Sequence, residues 1–179
     1  MIKVFISLLS ILTLTACSNE VINHNQVNNT NQVIIDLSED KKKLDDYVGV
    51  WHESPVMAAG WSNNYHFYDD GTYKFYYSQM VGDKRTIDES GTWALNDEGL
   101  KITIYEKTIV EGGKIVDDVI LGKTIEGGTI KTIRNSHAET ITLSFSRDIK
   151  IDPENNREFI EINGVKYWKF SDDPSEPNN

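Results

Sequence analysis

The chain has 179 residues, with 18 Lys and Arg against 28 Asp and Glu, a formal net charge of −10. Such acidity repels nucleic acid and anionic headgroups, and no basic stretch runs long enough to track phosphates. Cys17 is the only cysteine, which excludes disulfides within the fold.

Residues 1–16 have the parts of an export signal. Lys3 supplies the positive charge, Val4 to Leu14 is apolar apart from Ser7, Ser10 and Thr13, and small residues Thr15 and Ala16 precede Cys17. The apolar run is shorter than the roughly 20 residues of a spanning helix. Leu14-Thr15-Ala16-Cys17 resembles the bacterial lipobox. That resemblance implies cleavage before Cys17, lipidation of its thiol, and anchoring on the outer face of the cytoplasmic membrane through acyl chains.

Residues 17–36 follow as a polar, Asn-rich stretch that buries too little apolar surface to order itself, and are expected to be a tether. Residues 37–171 are expected to form the folded domain, and 172–179, rich in Asp and Pro, a disordered tail. Ser38 as N-cap, with Glu39 and Asp40 in the first turn, predicts a short helix running towards Tyr47.

Beyond it the apolar period becomes two. Tyr65–Tyr68, Thr72–Tyr77, Leu100–Ile104, Thr140–Phe145 and Tyr167–Phe170 alternate and are rich in β-branched and aromatic residues. Turn signals stand at Asp70-Gly71, Asn96 to Gly99, Gly112-Gly113, Gly127-Gly128, Pro153 to Asn156 and Asn163-Gly164. The expected fold is all-β: an antiparallel up-and-down meander of about eight to ten strands, closed into a barrel to remove its edges. One face gathers Tyr65, Phe67, Tyr73, Phe75, Trp93, Leu95, Leu100, Ile102, Ile104, Ile141, Leu143, Phe145, Trp168 and Phe170.

Gly49-Val50-Trp51, after the predicted helix, matches the G-x-W that opens the first strand of lipocalins. Asp70-Gly71-Thr72-Tyr73 and Gly91-Thr92-Trp93-Ala94-Leu95 are similar to runs in small lipocalin-like bacterial lipoproteins. The resemblance implies a calycin-type barrel with Trp51 across its closed end and a lid after the first strand. Lipocalins often place an arginine over that tryptophan. Here the last strand offers Lys169, which the alternation of Trp168 and Phe170 turns outward.

Catalytic constellations are not legible. His52 and His66 read as surface or rim residues, without metal-ligand spacing. Asp88-Glu89 and Asp117-Asp118 are adjacent residues on opposite sides of a strand, so neither doublet makes a catalytic pair, and both read as solvated. No Gly-x-Ser-x-Gly elbow and no phosphate-cradling glycine loop occur. An enzyme is not expected, nor a cofactor or metal. Trp51, Trp61, Tyr65, Phe67, Tyr73, Phe75 and Trp93 are the candidate lining of an apolar ligand pocket, with Met57 to Trp61 as a lid or protein-contact patch. The functional expectation is a non-enzymatic, lipid-anchored extracytoplasmic binding domain for a small apolar ligand. The alternative is a structural lipoprotein with a filled barrel that contacts envelope proteins.

Overall fold

The computed structural model describes residues 44–56 and 61–177. The export signal, Cys17 and the tether lie outside the described residues. So does most of the predicted helix, of which Leu44 and Asp45 are described as helical.

The described chain is almost wholly antiparallel sheet. Its strands are β1 Gly49–His52, β2 Asn64–Phe67, β3 Thr72–Tyr76, β4 Thr86–Asn96, β5 Gly99–Asp118, β6 Gly122–Leu143, β7 Lys150–Ile151, β8 Glu158–Ile162 and β9 Val165–Ser171. They form one nine-stranded sheet in the order β6-β5-β4-β3-β2-β1-β9-β8-β7. Each β-to-β connection joins spatial neighbours except the return from β6 to β7, as hairpin chemistry dictates. At the β2–β3 corner, Asp70 Oδ1 accepts from the Thr72 amide at 2.8 Å; at the β4–β5 corner, Asn96 Oδ1 accepts from the Glu98 and Gly99 amides at 3.0 Å.

The ladder is open, which corrects the expectation of a closed barrel. It ends on β6 and on the two-residue β7. After Leu143 the chain leaves β5 and touches β8 through one isolated bridge, Phe145 to Ile162. Backbone hydrogen bonds from Ser146 to Glu161 and from Asn163 to Ser144 flank it. With β7 so short, no second long edge is present for β6 to pair with.

The sheet nonetheless curls around one core, since residues from β1–β5, β8 and β9 share a single buried cluster. Trp51 is at its centre, fully buried, and donates from Nε1 to the Tyr47 carbonyl at 2.7 Å. Gly49 explains how Trp51 is reached. Its φ is +131°, and a Cβ there would lie 2.3 Å from the Ser171 carbonyl oxygen, so only glycine lets β9 close on β1.

The inner face holds every apolar residue expected of it but two. Tyr167, not Trp168, is buried in the core, and the β1–β9 ladder shifts register between Val50 and Trp51. Trp168 and Phe170 are on the other face, where Trp168 packs near Phe159 and Phe170 stacks at 4.8 Å on His52. This outer face of β1, β2 and β8 is itself buried: Val50, His52, Asn64, His66 and Phe159 are all inaccessible. The segment read as a tail contributes here, because His66 Nδ1 donates to the Pro174 carbonyl at 2.7 Å. Two buried faces on one part of the sheet defeat any inference of side from alternation alone.

The glycine pairs at 112–113 and 127–128 are not turns, contrary to expectation. Gly112 faces Gly128 within a long β5–β6 hairpin whose turn is at Val119 to Leu121. Gly112, Gly113 and Gly127 have φ near +70°, which kinks the hairpin where side chains would forbid it. β4 pairs with β5 no further than Ile109, so the hairpin beyond it is a two-stranded arm.

Candidate functional site

Alternation places Phe75 and Tyr73 of β3, Tyr65 and Phe67 of β2, Trp51 of β1 and Trp93 of β4 on the inner face, and the ladder puts them side by side. All six belong to the buried cluster. Ring centroids are 4.4 Å apart for Tyr65–Phe75, 5.2 Å for the stacked Tyr65–Phe67 and 4.8 Å for Phe67–Trp93. These are contact separations for aromatic pairs. The rings therefore fill the space between the strands.

Trp61, the seventh candidate, is not brought to them. It stands 56 % exposed on the β1–β2 connection, its carbonyl accepting a hydrogen bond from Ser78 Oγ. Met57 to Gly60, the rest of the expected lid, lie outside the described residues.

Lys169 is the second departure from the expected face. Its Nζ is 5.4 Å from the Trp51 ring centroid, within cation–π range, and bonds Asp172 at 2.6 Å. A cation thus covers Trp51, where outward alternation had placed none. Lys169 shares this face with Tyr167, because β9 alternates without interruption against β8, where Ile160 faces Tyr167 and Phe159 faces Trp168.

The inner face also contains a carboxyl group the sequence reading treated as solvated. Glu89 is 8 % exposed, opposite Phe75 on one side and Lys107 on the other. Tyr77 donates its hydroxyl to Oε2 at 3.1 Å, and the Tyr73 hydroxyl is 3.5 Å from Oε1. Burial pushes the Glu89 carboxyl above the usual carboxylate range, against the lowering pull of Tyr77 and Lys107. Burial likewise raises the phenols of Tyr65, Tyr73, Tyr77 and Tyr167, which stay neutral donors. Lys107 itself pairs with Glu139 at 3.0 Å. One signal could have found Glu89: it stands two residues before Gly91 and four before Trp93, so it shares the tryptophan's face.

This cluster offers a protonatable carboxyl beside two phenols. His52 and His66 are on the opposite face of the sheet, and no group of three metal-ligating side chains occurs among the described residues. Asp152, on the outer face, is held below the usual carboxylate range by the Glu154 amide, with Trp168 Nε1 donating at 2.9 Å and Lys166 at 3.5 Å. It braces the β7–β8 loop.

Two concavities open at the margins of the core, one reaching Tyr73 and the other Tyr47. A groove of about 550 Å³ runs past Tyr68, Lys74, Tyr105 and Arg134, and a cleft of about 720 Å³ past Leu44, Tyr47, Leu95, Arg147 and Ile149. Both are open and mixed in polarity, unlike an enclosed apolar pocket. Fold and site together define an open, curled antiparallel β sheet around an aromatic core. No family model, no curated protein and no solved structure matches the chain.

Proposed function

We propose that this protein is a non-enzymatic, lipid-anchored lipoprotein of the extracytoplasmic membrane face, whose lipocalin-like β domain acts through its surface on envelope proteins. The observation that carries the surface role is the packing of Trp51, Tyr65, Phe67, Tyr73, Phe75 and Trp93 at ring-contact distance, which leaves the interior to side chains rather than to a ligand. The most exposed apolar residues, Val119 at 105 % and Ile120 at 85 %, are at the turn of the β5–β6 arm, where a partner can reach them. The lipocalin-like relationship is supported by Gly49-Val50-Trp51, by the chain-order meander and by the Lys169 ammonium over Trp51. Anchoring is supported by Leu14-Thr15-Ala16-Cys17 after the apolar run.

Native mass spectrometry of the chain purified from its own host tests the surface role. A bare polypeptide mass, apart from the lipid on Cys17, is the expected result. A reproducible extra mass released on denaturation would instead establish the small-ligand reading. Anchoring is tested separately: Cys17→Ser is expected to move the protein from the membrane to the soluble fraction, and an unchanged distribution would remove that part.

A further inference from the structure

β6 is an edge strand of 22 residues, Gly122–Leu143, paired on one side by β5 and on the other by nothing among the described residues. It contains no proline, and the residues from Glu126 to Arg134 are all exposed. Unpaired edges of this kind are templates for a further strand. Two of the usual guards are diverted: Lys131 bonds Glu111 at 2.8 Å and Arg134 bonds Glu106 at 3.0 Å, both across the hairpin. The register with β5 is unbroken from Gly122 to Arg134, across the bend at Gly127, up to the point where four residues, 135–138, bulge against Tyr105 alone.

Backbone direction along this run follows from its neighbour. The Val110 amide donates to the Arg85 carbonyl at 2.7 Å, and the Val110 carbonyl accepts from Arg85 Nη1 at 3.2 Å. Val110 thus turns both groups away from β6. Ile130, its direct partner in the ladder, turns its own away from β5, towards the free edge. Gly128 and Thr132, two residues either side, follow the same alternation.

We propose that this edge takes a second copy of the chain, β6 against β6 in antiparallel pairing, with the twofold axis at Ile130. Directly opposed residues share a face, so a twofold antiparallel pair must centre on one residue facing itself. Centred on Lys131, two ammonium groups would oppose each other. Centred on Ile130, Ile130 meets its own copy, Thr129 meets Lys131, Gly128 meets Thr132, and Glu126 meets Arg134 twice. Of the registers centred from Gly128 to Thr132, this one alone opposes a carboxylate with a guanidinium short of the bulge. Glu126 is in no ion pair among the described residues, and Arg134, its side chain 88 % exposed, can bridge Glu106 and the second copy's Glu126. Ile130, at 69 % exposure, would be covered. This inference deepens the surface-acting reading by naming a partner. It is read by association rather than by bound mass, so the two fail separately.

Sedimentation equilibrium of residues 17–179 carrying Cys17→Ser, which lacks the export signal, the only thiol and the anchor, supplies the test. The expected result is a concentration-dependent dimer. Ile130→Pro deletes an amide that points to the free edge and spares the β5 side, so it should abolish the dimer with the circular dichroism melt retained. Glu126→Arg sets like charges against Arg134 and should weaken association about tenfold, while Glu126→Arg with Arg134→Glu restores it. A monomer at every concentration overturns the proposal. So does a dimer indifferent to Ile130→Pro, or a double variant no tighter than Glu126→Arg; the charge pair keeps the test decisive if the proline variant fails to fold.

Discussion

Glu89 carries the one carboxyl of the inner face that burial keeps above its ordinary proton affinity. An acid whose folded-state affinity is raised holds its proton where the unfolded chain has lost it. Stability therefore falls as pH rises through the ordinary glutamate range and the folded-state value above it, and the penalty persists at neutral pH. Glu89→Gln keeps an acceptor for the Tyr77 hydroxyl and removes the charge. It should raise the thermal midpoint at neutral pH by about 1–3 °C, a modest gain because solvent screens part of the cluster. Calorimetry across acid to neutral pH checks this: the gain should vanish below the ordinary glutamate range, and a pH-independent difference would mean that charge burial is not the cause. Lys169 teaches a related lesson. Its ammonium is near Trp51 because it shares a face with Tyr167, so reading Trp168 and Phe170 as the inward residues misplaces it.

Among the elements, β4 and β5 approach each other closely at Gly91. A Cβ on Gly91 would lie 1.8 Å from the Thr103 carbonyl oxygen, at the register shift between Ser90 and Gly91. Gly91→Ala must force the strands apart and should cost about 3 kcal/mol in denaturant unfolding. A loss near zero would show the ladder open there in solution. The β5–β6 arm obeys a different logic. Its glycines read in sequence as turns because glycine at positive φ is the common mark of a turn. Here the same backbone freedom bends a hairpin in mid-course, and Gly112 facing Gly128 is visible only once the strands are aligned. Glu158–Ile162 likewise emerged as a strand through its ladder with β9, although Asn163-Gly164 had marked the turn that follows it.

At the scale of the whole molecule, the sheet is covered on both faces where β1, β2, β8 and β9 meet. Removing residues 172–179 would deprive His66 of the Pro174 carbonyl and bare the outer face near Val50 and His66. A chain ending at Ser171 should lose about 1–3 kcal/mol of stability. Denaturant titration of both lengths checks it, and equal midpoints would assign the burial of His66 to other segments.

The period-two alternation of β-branched and aromatic residues, punctuated by Asp70-Gly71, Asn96 to Gly99 and Asn163-Gly164, was enough to establish an antiparallel all-β chain in meander order. It was enough, too, to place Tyr65, Phe67, Tyr73, Phe75 and Trp93 on one face. These are local properties: the pleat sends neighbours to opposite sides, and turn residues accept the dihedral angles a corner requires. Only the tertiary structure decided that the ladder stays open, that Trp61 stands apart, that Glu89 is buried beside tyrosines, and that Lys169 rather than Trp168 faces the core. Each depends on which strands meet and which edge has no partner. The partners stand from 12 positions apart, as Tyr77 and Glu89 do, to more than a hundred, as Trp51 and Lys169 do, so the pairing and not the local pattern sets them.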